Sequence, residues 1–467
     1  MNTLKQTAVT KTANSVLTMV SHASDRDIER FLGLLERLAP QPKDKQLVRS
    51  ARQLWAEDQP SARLIKRALQ DVSPRCRERF VASLLLNNAW GSLAARRQAF
   101  VDKTGFQPPL TILISPTMRC NLRCEGCYAG DYSQRDDLPY EVLDRVLDEA
   151  EALGIFFVTV LGGEPFVRGD LWDLYEKHRD IYFMVYTNGT LLDQAAVDRL
   201  AALGNVAPML SIEGLEAETD ARRGKGAYRM LMEAMDGLHA AGVFFGFSSM
   251  VSRHNVDTIV GDEFNDRLIE KGALVGWHFL YMPVGRDPDL DLMPTPAQGD
   301  PLRRQGAARL RATKPVFVID FWNDAPYAGG CIAAGRYDIH INSQGGVEPC
   351  IFTHFAVDNV KDKSLADCLC SPYFLAIRRR QPYSDNLLLP CMLIDHPEVF
   401  REIYAEYHPL PTHPGAVSLV DGLGPGLDVY AQTLAHTLDR AWQEEFVARG
   451  FRPPAGPGQP RPVDTSG

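Results

Sequence analysis

Three cysteines, Cys120, Cys124 and Cys127, fall within eight residues in the segment SPTMRCNLRCEGCYAGDY. Their C-x3-C-x2-C spacing, on a loop with Asn121 and Gly126, lets three thiolates converge on one small object. A closed zinc site wants a fourth Cys or His, and the nearest downstream histidine is His178. An iron–sulfur cube takes one thiolate per iron, so three thiolates leave one iron open to a ligand from outside the protein. An open cluster is the leading reading; zinc and coincidence are the alternatives.

The elements that must hold this loop are legible in the hydrophobic pattern. Apolar runs at 110–115, 156–161, 182–187, 206–212, 243–251 and 274–282 predict strands. Amphipathic stretches at 140–153, 170–179, 193–203, 228–241 and 262–272 predict helices between them. The alternation predicts an α/β class with βαβ units and a parallel sheet. Six strands are too few for a closed eight-strand barrel, so a partial barrel and an open doubly wound sheet both fit. In either, ligand lies at the C-terminal strand ends. Those ends carry Gly162-Gly163-Glu164-Pro165, Thr187-Asn188 and Ser211. Singly, each is ordinary turn chemistry. Together with the cysteines after the first strand, they outline one pocket.

Residues 1–105 carry helical periodicity at 25–38, 45–57, 61–72 and 75–86 and no strand pattern, which predicts a helical N-terminal domain with Cys76 as a structural thiol. The βα rhythm occupies 106–312. Residues 313–400 are loop-rich, with one helical stretch at 364–380; 401–450 is a helical segment, and the Pro/Gly-rich 451–467 is a disordered tail.

The C-x3-C-x2-C loop after the first strand resembles the signature of the radical S-adenosylmethionine (SAM) superfamily, and GGEP resembles its SAM-ammonium motif. The resemblance covers roughly residues 108–310. It implies a partial (βα)6 barrel and a 4Fe–4S cluster on Cys120, Cys124 and Cys127. It also implies SAM contacts from Gly162, Gly163, Glu164, Pro165, Thr187, Asn188 and Ser211. Reductive cleavage of SAM would give a 5′-deoxyadenosyl radical that abstracts hydrogen from substrate. Arg222, in DARRGKGAY, could pair with the SAM carboxylate, the alternative being a solvated arginine. Tyr281 and Arg286 could face substrate, although structural and surface roles are the simpler reading. One departure stands out: the family often has an aromatic residue before the third cysteine, and here Gly126 precedes Cys127 while Tyr128 follows it.

Five more cysteines crowd into 61 positions, Cys331, Cys350, Cys368, Cys370 and Cys391. HINSQGGVEP has strand alternation about a Gly-Gly turn, so a hairpin should bring Cys331 and Cys350 together. The C-x13-G-x4-C spacing through Gly345 resembles the opening of the SPASM/Twitch extension, which holds auxiliary iron–sulfur clusters. The dense cysteine run of the full extension is missing. The resemblance therefore implies a shortened version with one auxiliary cluster on Cys331, Cys350 and Cys391. Its fourth iron is either open or held by Asp395, His396 or His354; a zinc site or reduced core thiols are the alternative. Cys368 and Cys370 stand two apart in a helical stretch, do not share a face, and read as buried free thiols.

Composition narrows the function. Of 467 residues, 50 Lys+Arg against 59 Asp+Glu give a formal net charge of −9, a poor field for nucleic acid. No apolar run reaches the roughly 20 residues of a membrane span, and the N-terminus lacks a secretory pattern. A cytoplasmic radical SAM enzyme is expected, with a reducing partner such as flavodoxin or ferredoxin. The helical N-terminal region lacks the strands of the winged-helix module common in peptide-modifying relatives. That favours a small molecule, sugar or lipid as substrate. The alternatives are a radical SAM peptide maturase and a non-catalytic iron–sulfur or zinc protein.

Overall fold

The computed structural model describes residues 24–38, 42–86, 92–129, 136–413 and 415–454. Six parallel strands carry the βα rhythm: β1 (Ile112–Thr117), β2 (Phe157–Gly162), β3 (Tyr182–Thr187), β4 (Val206–Ser211), β5 (Gly246–Val251) and β6 (Val275–Leu280). The sequence rhythm was expected to end near 313, but a seventh strand, β7 (Phe317–Asp320), pairs parallel to β6. It is only four residues long, too short to announce itself by alternation.

Alternate residues face opposite sides of a strand, and both sides of this sheet are covered. Val158, Val160, Phe183, Val185 and Phe247 belong to the main core with the flanking helices, whereas Tyr182, Met184, Ala207 and Met209 form a second cluster. Burial on both faces is why the strands read as continuous apolar runs.

The C-terminal region adds to the same sheet. Strand β8 (His340–Ile341) lies parallel to β1, with Leu113 opposite His340 and Ile114 opposite Ile341. It forms the expected hairpin with β9 (Gly346–Glu348), and β10 (Asp358–Asn359) completes the edge beyond β9. The ten-stranded order is β10-β9-β8-β1-β2-β3-β4-β5-β6-β7, open at both ends, so the barrel does not close. The helical stretch expected at 364–380 is two helices, Leu365–Leu369 and Pro372–Arg380. The residue before a proline avoids helical backbone, and the break falls at Ser371-Pro372.

The N-terminal helices close the end of the barrel opposite the cysteine loop. Arg67 donates to Ile269 O (2.7 Å), Ala273 O (3.2 Å) and Pro315 O (2.7 Å), just before β6 and β7. Ile269 O is among the last-turn carbonyls that a helix cannot satisfy itself. Phe80 sits edge-on to Tyr182 (5.4 Å) and stacks on Phe244 (5.0 Å) at the starts of β3 and β5. Cys76 is buried against Val72 and Leu274, in keeping with a structural thiol. Of the tail expected at 451–467, residues 455–467 lie outside the described residues, and Phe451 packs edge-on to Phe446 at 5.2 Å. The first 23 residues, read as lacking a secretory signal, also lie outside them. Among the described residues no helix is long and apolar enough to cross a membrane.

If Phe80 is the stopper of the barrel floor, Phe80→Ala should destabilise the protein by about 2 kcal/mol, less than a fully buried Phe because its ring is only partly enclosed. Urea unfolding should show a lower midpoint at unchanged slope. An unaltered midpoint would remove the stopper role.

Candidate active site

The cysteine loop leaves β1 and is fixed by the end of β2. Gly163 N donates to Thr117 O (3.0 Å) and Glu164 N to Arg119 O (2.8 Å). A Cβ on Gly163 would lie 2.1 Å from Arg119 O, and one on Gly162, whose φ is +118°, would lie 2.2 Å from Thr117 O. Only glycine tolerates this approach and this dihedral. The Gly-Gly pair therefore admits the backbone of the cysteine loop itself. Tyr128 adds a second tie: its hydroxyl donates to Gly162 O (2.9 Å) and accepts from Gly162 N (3.0 Å).

The missing aromatic before Cys127 has a steric cause. Gly126 has φ +59°, and a Cβ there would lie 2.8 Å from the Tyr281 ring. Tyr281, from the end of β6, occupies that space, with its hydroxyl accepting from Asp289 N (3.0 Å).

Of the strand-end residues, Gly162, Gly163, Thr187, Asn188, Ser211 and Arg222 line a cavity of about 480 Å3 together with the three cysteines. Glu164 and Pro165 lie behind its wall. Glu164 is fully buried and accepts from Asn188 N (2.7 Å), Thr187 Oγ1 (2.9 Å) and Phe166 N (3.1 Å), so it ties the end of β2 to that of β3. Burial pushes its carboxyl up to about 7. Asn188 Nδ2 donates to Asn121 Oδ1 (2.8 Å), bracing the cysteine loop.

Arg222 is not solvated. It donates to Glu213 Oε1 (2.5 Å) and Glu125 O (3.0 Å). Its neighbour Arg223, which sequence reasoning passed over, also binds Glu213 and places Nη1 3.9 Å from Cys124 Sγ. Burial opposes the charge on Glu213, but Arg222 and Arg223 hold its carboxyl below the usual range. Nothing in ARRGKG separates the two arginines; only the turn of the helix Glu216–Arg223 does.

Cys331, Cys350 and Cys391 line the same cavity. Burial raises all three thiols, Cys331 to about 11; Cys331 acts on both Cys350 and Cys391, and Cys391 on Cys350. The three side chains offered as a fourth ligand are absent from the cavity wall. Asp395 accepts from Cys391 N (2.8 Å), His396 Nε2 bonds Leu389 O (3.0 Å), and His354 packs beside Tyr128 and His413. Asp338, not singled out from the sequence, does line the cavity, and burial pushes it up to about 7. Cys368 and Cys370 stand off the cavity; Cys368 is buried as expected, whereas Cys370, at the end of its short helix, is only half-buried. Tyr281 lines it and Arg286 does not.

The remaining wall is aromatic and apolar, with Phe157, Met184, Tyr186, Trp277, Phe279 and Phe321 below the thiols. The donor set suits iron–sulfur chemistry: soft thiolates facing a chamber large enough for more than one ion. Among the described residues, no three His, Cys, Asp or Glu side chains converge tightly enough to hold a single metal ion, as a closed zinc site requires.

The pattern of the radical SAM superfamily matches residues 114–262, and that of the SPASM iron-sulfur cluster-binding domain matches residues 331–392. Mycofactocin maturase MftC of Mycolicibacterium smegmatis is 34% identical over 280 residues, covering 57% of this chain and 69% of that protein. This chain belongs to the radical SAM superfamily. PqqA peptide cyclase of Granulibacter bethesdensis is 27% identical over 317 residues, covering 63% of this chain and 81% of that protein. Streptococcus suis SuiB bound to S-adenosylmethionine shares the fold, with TM-score 0.54 at 20% identity over 71% of this chain and 87% of that one. As a radical SAM enzyme with a SPASM-type C-terminal region, the protein uses a 4Fe–4S cluster and SAM, and its C-terminal region is of the kind that binds auxiliary iron–sulfur clusters.

Tyr128→Phe should separate anchoring from ligation. The loss of one buried hydroxyl removes both hydrogen bonds to Gly162, which should cost about 1–2 kcal/mol of stability and, by loosening the SAM-facing end of β2, lower SAM affinity. Equilibrium dialysis of anaerobically reconstituted enzyme reads it, at unchanged iron content. Unchanged SAM affinity would show that the Gly162 tie does not shape the SAM site.

Proposed function

We propose that this radical SAM enzyme is a peptide maturase, abstracting hydrogen from an apolar or aromatic side chain of a ribosomally made peptide. The observation that carries the proposal is the one cavity that takes a thiol trio from the loop after β1 and another from the C-terminal region, with aromatic side chains on its wall. Relatives named as a maturase and a peptide cyclase support it. The sugar or lipid expected from the missing winged-helix strands gives way to this alternative, since relatives named as peptide cyclases match more than half of the chain.

In this proposal Cys120, Cys124 and Cys127 would hold the first cluster, which would supply a binding position for SAM and the electron for its reductive cleavage. The chain's own residues position and protect. Gly162, Gly163, Thr187, Asn188 and Ser211 face SAM. Arg222 presents a cation already neutralised by Glu213, which suits orientation of a carboxylate more than strong charge pairing. Glu164 and Pro165 act from behind the wall by fixing the strand ends. The aromatic floor excludes water and stray hydrogen donors. Cys331, Cys350 and Cys391 hold the auxiliary cluster, and a flavodoxin or ferredoxin supplies the electron.

The test is anaerobic reconstitution with SAM and dithionite, with and without short peptides encoded beside the gene. Wild-type enzyme should release 5′-deoxyadenosine and change the mass of one peptide; Cys124→Ala should do neither. S-adenosylhomocysteine in place of 5′-deoxyadenosine would turn the chemistry to methylation. Turnover of a sugar or lipid with every peptide left intact would overturn the peptide assignment.

A further inference from the structure

Three thiolates on the C-terminal side leave one corner of a cube without a protein ligand, and the polar side chains that follow Cys391, Asp395 and His396, do not reach the cavity. Asp338 does. The chain doubles back after Cys331: Tyr337 N bonds Ile332 O (2.8 Å) and Gly335 N bonds Asp338 O (2.8 Å), with Gly335 at φ +78°. This fold-back sets Asp338, at the foot of β8, beside the thiol that begins the segment. Asp338 is 8% exposed and lines the cavity, and its carboxylate has no hydrogen bond or ion pair to any described residue.

The cation two residues before it in sequence is engaged elsewhere. Arg336 donates to Cys331 O (2.6 Å) and Ala328 O (2.8 Å), holding the backbone of the cysteine turn. The Asp338 charge instead acts on Cys331 and Cys350. A buried carboxylate among thiols, with no counter-charge of its own, is costly. A cationic centre shared by all four groups removes that cost.

We infer that the Asp338 carboxylate is the fourth protein ligand of the auxiliary cluster, completing Cys331, Cys350 and Cys391. This rests on the assignment of that cluster to those three cysteines. The set is three soft sulfurs and one hard oxygen, so one iron differs electronically from its three neighbours and is held less tightly. It also closes the cluster to direct binding of substrate, which assigns the auxiliary centre to electron transfer.

The test uses full-length protein carrying Cys120→Ala, Cys124→Ala and Cys127→Ala, so that only the auxiliary cluster contributes. Mössbauer spectra of iron-57-reconstituted protein should resolve one distinct iron in four. Asp338→Cys should make the four sites alike. Asp338→Ala should lose about one iron in four on mild oxidation and give the electron paramagnetic resonance signature of a three-iron cluster. Should the triple variant fail to fold, the same substitutions in enzyme with all six cysteines and bound SAM should abolish the distinct iron that SAM does not perturb. An Asp338→Ala spectrum that superimposes on its parent, with iron retained, would overturn the inference alone. A parent without iron, from a folded chain, would overturn the cysteine assignment and this inference with it.

Discussion

The site depends on one close approach of main chain to main chain. The end of β2 passes so near the first residues of the cysteine loop that a single methyl group at Gly163 would collide with the carbonyls of Met118 and Arg119. Backbone hydrogen bonds across that contact, and the Tyr128 hydroxyl on Gly162, fix where the loop begins and where it turns back. The thiols are presented by a loop, yet the loop is held almost like a strand. Rigidly held first contacts are what a site needs to aim a reactive intermediate.

A second constraint joins the two halves of the chemistry. Ser115 Oγ lies 2.7 Å from His340 Nε2, and His340 Nδ1 lies 2.6 Å from Glu348 Oε2, all buried. Glu348 also takes Asn342 Nδ2 (2.8 Å) and the Thr412 hydroxyl. The serine–histidine–carboxylate order looks nucleophilic, but none of the three lines the cavity. A fully satisfied buried polar chain specifies a single arrangement of the parts it connects. Here it locks the C-terminal hairpin onto β1, two residues before Cys350.

Much of this was legible in the residues. The six long strands and their helices follow from periodicity because each strand is buried on both faces and each helix on one. The first thiol trio was legible because its spacing is local. What escaped were features set by distant parts of the chain. Strand β7 is short, and it exists because β6 offers an edge. Gly126 looked like a departure until Tyr281, far along the sequence, was seen to fill its space. Asp338 looked like any loop aspartate, since a missing partner cannot be read from letters. Arg223 and Arg222 are neighbours in sequence, and only helix geometry tells which one approaches Cys124.

The parallel ladder between β1 and β8 carries one more consequence. Strands sit about 4.8 Å apart in the hydrogen-bonding direction, so the gap between the loop that leaves β1 and the hairpin that begins with β8 is set by main-chain pairing. Electron tunnelling falls off steeply with distance. With the two clusters placed as proposed, that distance would belong largely to the backbone register, and changes in the efficiency of a hop between them would come mainly from driving force.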